Sequence, residues 1–157
     1  MNFIVVLQNQ PIQFFFYYQG NLKFIKTFFS NSKEKEYIEF DKGKMNGIYK
    51  KYDEYGKVII EGEYKSNKKI NKWIIYNTNG YDKIIQDYND NLKKGIWFYY
   101  LKEKIIRSEF YENNTLDYYY TSEFYKNKET RKFYKNEKNY AIVKYIDGHI
   151  DQYIDVK

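Results

Sequence analysis

The side chains able to do covalent or acid–base chemistry are few in this chain, and their spacing does not bring them together. His149 is the only histidine, and Cys is absent. That excludes thiolate catalysis, disulfides and Cys-based zinc sites, and it removes the usual ligands of a transition metal. His149 falls in the segment Asp147-Gly148-His149 and reads as an exposed turn residue. Carboxylates occur in close pairs, Glu61/Glu63 and Asp87/Asp90. Acidic residues two or three apart are ordinary on a wet strand, so these pairs do not mark acid–base catalysis. No glycine-rich loop stands between a strand and a helix to cradle a phosphate. The chain reads as a non-enzyme, with no catalytic residues, no cofactor and no metal.

What remains is the chemistry of recognition. Aromatic residues make up 22% of the chain, with 21 Tyr and 12 Phe, and the formal net charge is +6. Nearly all the positive charge is Lys; the arginines are Arg107 and Arg131. Tyr and Trp dominate the energetics of protein interfaces. The candidate partner-binding residues are Tyr49, Trp73, Trp97 and Tyr120, flanked by Lys72 and Lys94 to steer an acidic surface. A basic sheet with exposed aromatics also suits single-stranded nucleic acid, but Arg, the preferred phosphate and base ligand, is scarce. A lysine-rich face suits anionic membrane lipid. Lys on exposed strands has a plainer use as well, because it blunts edge-to-edge aggregation.

The elements that must position these residues follow from one regularity. An aromatic residue returns every 12 positions: Phe16, Phe28, Phe40, Tyr52, Tyr64, Tyr76, Tyr88, Tyr100. After one slipped residue the series resumes at Tyr111, with a looser echo at Phe124, Tyr134 and Tyr145. Turn residues follow most of these positions, among them Gly43, Gly56, Asn67, Gly80, Asn91 and Asn114. A strand of about 6–8 residues plus a tight turn fills such a unit. A helix would need apolar residues at every third or fourth position, which the chain does not sustain. One proline, Pro11, leaves nearly every strand its ladder donors.

Units pair into 24-residue repeats that align Tyr49/Trp73/Trp97, Tyr52/Tyr76/Tyr100 and Tyr64/Tyr88/Tyr111. The third copy lacks one residue where Gly56 and Gly80 stand, so Glu103-Lys104 must make a different turn. The expected fold is all-β: an antiparallel β-meander of tandem hairpin repeats in one elongated, twisted sheet of roughly 11 or 12 strands. Residues 1–39 read as N-terminal capping strands, 40–114 as regular repeats, and 115–157 as degenerate repeats with a C-terminal cap. Residues 30–36 read as an exposed loop. Strand alternation puts Trp73 and Tyr76 on opposite faces, giving an aromatic ladder on each. An open meander leaves two edge strands that can pair with another copy, so self-association is a further expectation. The apolar run Phe3 to Leu7 is too short for a signal peptide or a membrane span, which makes the cytoplasm the expected location.

The pattern Gly-x-Trp/Tyr-x-x-Tyr-x-x-x-Gly, followed by an acidic residue, Tyr, and Asn, resembles the MORN variant repeat. More narrowly, it resembles the bacterial YwqK-type antitoxin family. The residues carrying the resemblance are Gly47, Tyr49, Tyr52, Gly56, Glu63, Tyr64 and Asn67 in the first copy. In the second they are Trp73, Tyr76, Gly80, Asp87, Tyr88 and Asn91; in the third, Gly95, Trp97, Tyr100 and Tyr111. The match covers about residues 40–114 and departs from the pattern at Asn71, where Gly is usual. The resemblance implies a stack of β-hairpins without a catalytic motif. It implies protein–protein recognition: an antitoxin, immunity or inhibitor protein of a bacterium or phage that occludes its target. Membrane association is a further implication of related repeats.

Overall fold

The computed structural model describes residues 2–6 and 12–156; Pro11 and Leu7 lie outside them. The described residues form strands joined by turns. In order the strands are β1 (Asn2–Val6), β2 (Ile12–Tyr18), β3 (Asn21–Phe28), β4 (Glu34–Asp41), β5 (Lys44–Tyr52), β6 (Val58–Lys65), β7 (Lys68–Thr78) and β8 (Tyr81–Asn89). There follow β9 (Leu92–Lys93), β10 (Gly95–Leu101), β11 (Lys104–Glu112), β12 (Thr115–Tyr125), β13 (Lys128–Lys135), β14 (Lys138–Ile146) and β15 (His149–Asp155). Each strand neighbours the next in sequence, so the sheet is an antiparallel meander; only the two-residue β9 lies off the path, beside β8. The all-β antiparallel meander is the expected one.

There are 15 strands rather than roughly 11 or 12. Apart from the short β9, the excess lies at the ends, where the 12-residue beat loosens but alternation and turn chemistry persist. Residues 30–36 are not all loop, because β4 begins at Glu34. His149 is the exposed first residue of β15, paired with Ile146.

Most hairpins close with two residues of positive φ, as at Asn79 (50°) and Gly80 (78°), or Asp90 (52°) and Asn91 (70°). This is the turn whose twist matches that of the flanking strands. Gly, Asn and Asp tolerate it at least cost, which is why they recur at the turns.

By contacts the chain divides into two units: residues 1–77 with 88–92, and residues 78–87 with 93–157. In the first, the buried interior centres on Trp73. In the second it is formed by Ile84, Trp97, Tyr111, Ala141 and Val143, together with the polar residues Ser108, Glu109 and Ser122. No helix among the described residues is long and apolar enough to cross a membrane.

Candidate functional site

In the first unit the repeated aromatics pack on one another. Tyr49 pairs with Gly62 across β5 and β6, and the indole of Trp73 on β7 lies over that glycine. A Cβ at Gly62 would fall 2.2 Å from the ring. With no side chain between them, Tyr49 and Trp73 stack at 5.3 Å although they are two strands apart. Tyr64 meets Trp73 edge-on at 5.0 Å and Tyr88 at 6.5 Å. Lys69 closes the stack, its Nζ 4.3 Å from the centre of the Trp73 ring system. Burial lowers the Lys69 pKa. Trp73 keeps 2% of its surface exposed, and its Nε1 has no hydrogen-bond partner among the described residues.

The second unit repeats the arrangement with Trp97. Its ring sits 4.8 Å from Tyr111, Lys93 lies 4.6 Å over it, and its Nε1 donates to the Asp87 carbonyl at 3.1 Å. Trp97 is 3% exposed. Beside it a buried carboxylate, Glu109, collects donors. Tyr111 donates at 2.9 Å, Arg107 Nε at 2.8 Å, and the Tyr99 hydroxyl also donates. Burial, and then the hydrogen bond to Glu109, raises the Tyr99 pKa. In the first unit, burial and the 2.8 Å hydrogen bond to Glu36 do the same to Tyr49.

The structure places the expected partner-binding residues in different surroundings. Trp73 and Trp97 are interior residues and offer a partner almost no surface. Tyr49 is half-buried in the stack of the first unit. Lys72 is exposed, but as the strand neighbour of Trp73 it points to the other face. Tyr120 pairs with Ser108, whereas Trp97 pairs with Glu109 and Glu109 with Tyr119; Tyr120 and Trp97 are therefore on opposite faces. Tyr120 packs on Phe133 at 5.5 Å, with Arg131 over its ring. Lys94 is exposed, and its amide donates to the Asp87 carbonyl. Trp73 is drawn inward because a large ring opposite a glycine, here Gly62, fills the vacancy instead of projecting outward.

The close carboxylate pairs have structural partners. Glu61 accepts from the Tyr76 hydroxyl at 2.9 Å, which places Tyr76 opposite Trp73 as alternation required. Glu63 accepts from Asn71 at 2.8 Å, and Asp90 pairs with Lys68 at 2.9 Å. Glu39 and Glu63 are 24 residues apart and serve equivalent sites, as does Asp87. Glu39 accepts from the Ile48 amide at 2.7 Å beside Gly47. Asp87 lies 3.6 Å from where a Gly95 Cβ would be. Gly47, Asn71 and Gly95 all have positive φ (116°, 58° and 62°). The acidic position of the repeat thus faces a kinked backbone, and Asn71 adopts the conformation that Gly has in the other copies.

The chain matches no family model, and no curated protein matches it. Among the described residues, no group of three or more acidic or His side chains could hold a metal.

Two features escaped the sequence reading. The first is a ladder of asparagine staples. The Asn67 side-chain carbonyl accepts from the Met45 amide at 2.7 Å, while the Asn67 amide donates to the Met45 carbonyl at 2.9 Å. Asn91 does the same to Lys69, at 2.7 and 3.0 Å, and Asn114 to Lys93, at 2.7 and 3.0 Å. The signal was present, since this turn position carries Asn in three consecutive repeats where Gly would satisfy φ alone. The second feature is a groove in the second unit, of about 560 Å³, between β8, the β10–β11 turn, β11 and β12. Its lining comes from residues far apart in sequence, so no local motif announces it.

Proposed function

We propose that this chain is a non-catalytic protein-binding module, of antitoxin, immunity or inhibitor type, that acts by occluding a partner. The observation that carries this reading is how the aromatic side chains are divided. Trp73, Trp97 and Tyr111 are closed into the interior, while other large apolar side chains stand open to solvent. Tyr125 is 70% exposed, Ile150 68% and Tyr153 63%. Such residues favour contact with another protein when several lie on one element. Ile150 and Tyr153 both belong to β15, which has β14 as its only strand neighbour among the described residues. A strand with a free edge can take up a partner's strand or that of a second copy. The resemblance to MORN variant and antitoxin repeats supports the same reading.

The test is capture of the tagged chain's partners from its own host's lysate, with mass spectrometry of what stays bound at moderate salt. One stoichiometric protein, released by Ile150→Glu or Tyr153→Glu variants that keep their thermal stability, is the expected result. Recovery of lipid or nucleic acid alone, lost as salt rises, would replace this reading with an electrostatic one.

A further inference from the structure

The groove of the second unit has a distinct chemistry. Its lining includes the cations Lys102, Lys104 and Arg107, the apolar or aromatic residues Leu101, Phe124 and Tyr81, and no carboxylate. Arg107 is already paired with Glu109. Lys102 and Lys104 stand in no salt bridge among the described residues. Lys104 instead holds its ammonium 4.4 Å over the ring of Phe124. Its charge also reaches Glu129, but that carboxylate is already held by Arg131 and Ser122. Leu101 and Phe124 are each 37% exposed. The volume, about 560 Å³, lies within the range of ligand-binding clefts.

The backbone of this turn is that of the other hairpins, but its residue types are not. Lys102 (48°) and Glu103 (62°) both have positive φ, and theirs is the only described hairpin turn without Gly, Asn or Asp. Ordinary side chains in that region are strained. The departure falls where the third repeat lacks a residue, and it places Lys102 in the turn and Lys104 at the start of β11, both at the groove. Local rules are broken most often where function requires it.

We propose that this groove is the docking subsite for an acidic segment of the partner, in which Asp or Glu alternates with apolar side chains. The ammonium groups of Lys102 and Lys104 receive the carboxylates, and Leu101 and Phe124 receive the apolar groups between them. Single-stranded nucleic acid fits less well, because the one guanidinium in the lining is already engaged by Glu109. The proposal rests on the protein-binding reading and names the surface that reading uses.

The experiment is fluorescence anisotropy of a labelled decapeptide alternating Glu with Leu and Phe, titrated with the full chain at low salt. A Gln-for-Glu peptide and labelled oligothymidylate run in parallel. We expect saturable binding of the acidic peptide, about tenfold weaker for Lys102→Glu and weaker still for Lys102→Glu/Lys104→Glu. The Gln peptide should bind poorly. Among the described residues Lys102 makes no ring contact, and the bond it gives the Asp82 carboxylate comes from its backbone amide at 2.6 Å. A Lys102→Gln variant, which adds no charge beside Asp82, should therefore melt like the native chain, bind the acidic peptide more weakly, and separate binding from folding. Unchanged peptide affinity in all three variants would overturn the groove while leaving the protein-binding reading to the lysate capture. Failure of the native chain to bind the acidic peptide, or tighter binding of oligothymidylate, would overturn the proposal as well.

Discussion

Trp73 rests directly on the backbone of Gly62, so close that a methyl group there would lie 2.2 Å from the indole. Gly62 lies inside β6 without a positive φ, where the register with β7 shifts between Glu61 and Glu63, and no turn requires it. It is glycine because a ring from the neighbouring strand occupies the space of its side chain, which lets Tyr49 and Trp73 stack across it.

Gly62→Ala should therefore destabilise the chain by about 1–3 kcal/mol, the usual cost of overpacking. Urea unfolding measures it. In a double-mutant cycle with Trp73→Phe, the penalty should shrink, because the smaller ring can yield. A full penalty in the Trp73→Phe background would show that Gly62 serves some other need.

Trp73→Ala and Trp97→Ala should behave as interior truncations, each costing about 3–5 kcal/mol. Trp97→Phe should cost less, although it also leaves the Asp87 carbonyl without its 3.1 Å donor. Thermal melts followed by circular dichroism would distinguish this from a surface role. A surface role predicts normal melting.

Asn91→Gly separates the two duties of the staple. Glycine keeps the positive φ of the turn but removes the side-chain acceptor of the Lys69 amide. The expected loss is about 1 kcal/mol, with faster hydrogen exchange localised to Lys69. Equal stability and unchanged exchange would mean that Asn stands there for its backbone conformation alone.

Alkali should loosen the fold. Burial, followed by the hydrogen bond with Glu39, pushes Tyr37 from 10.0 up to about 12. Burial also raises Tyr49 and Tyr99, each helped by a glutamate. A tyrosine whose folded pKa exceeds its unfolded value holds its proton more tightly in the folded state. Its contribution to stability is complete below pH 10 and declines as pH rises, for Tyr37 between 10.0 and about 12. Absorbance titration at high pH should show a late class of tyrosines that ionises only as the chain unfolds. Ionisation of every tyrosine below the unfolding transition would refute it.

The strands and most turns were legible because they depend on local properties: alternation, β-branched pairs, and Gly or Asn at fixed intervals. The two ladders on opposite faces were legible too, as Trp73 and Tyr76 show. Solvent exposure was not. Which of Tyr49, Trp73 and Trp97 becomes buried depends on what stands opposite each ring, as with Gly62, and on Lys69 and Lys93 folding over the indoles. Lysines that read as a solvated face serve partly as lids. The groove was illegible for a related reason. Tyr81, Lys104 and Phe124 share no interval, and only the folded sheet brings them together.

The asparagine ladder bears on how such a chain can change in length. Each staple reaches back 22 residues, or 21 where the third copy has lost one, and always from the second strand-pair to the first. Removing one strand would break the staple that spans the cut, because its Asn and its partner would then lie at opposite ends of the strands, while staples lying wholly beyond the cut keep their spacing. Removing two leaves the remaining staples with their partners. The unit by which this architecture can be lengthened or shortened without loss of a staple is thus the strand pair, whereas a copying error of half that size costs the staple it interrupts.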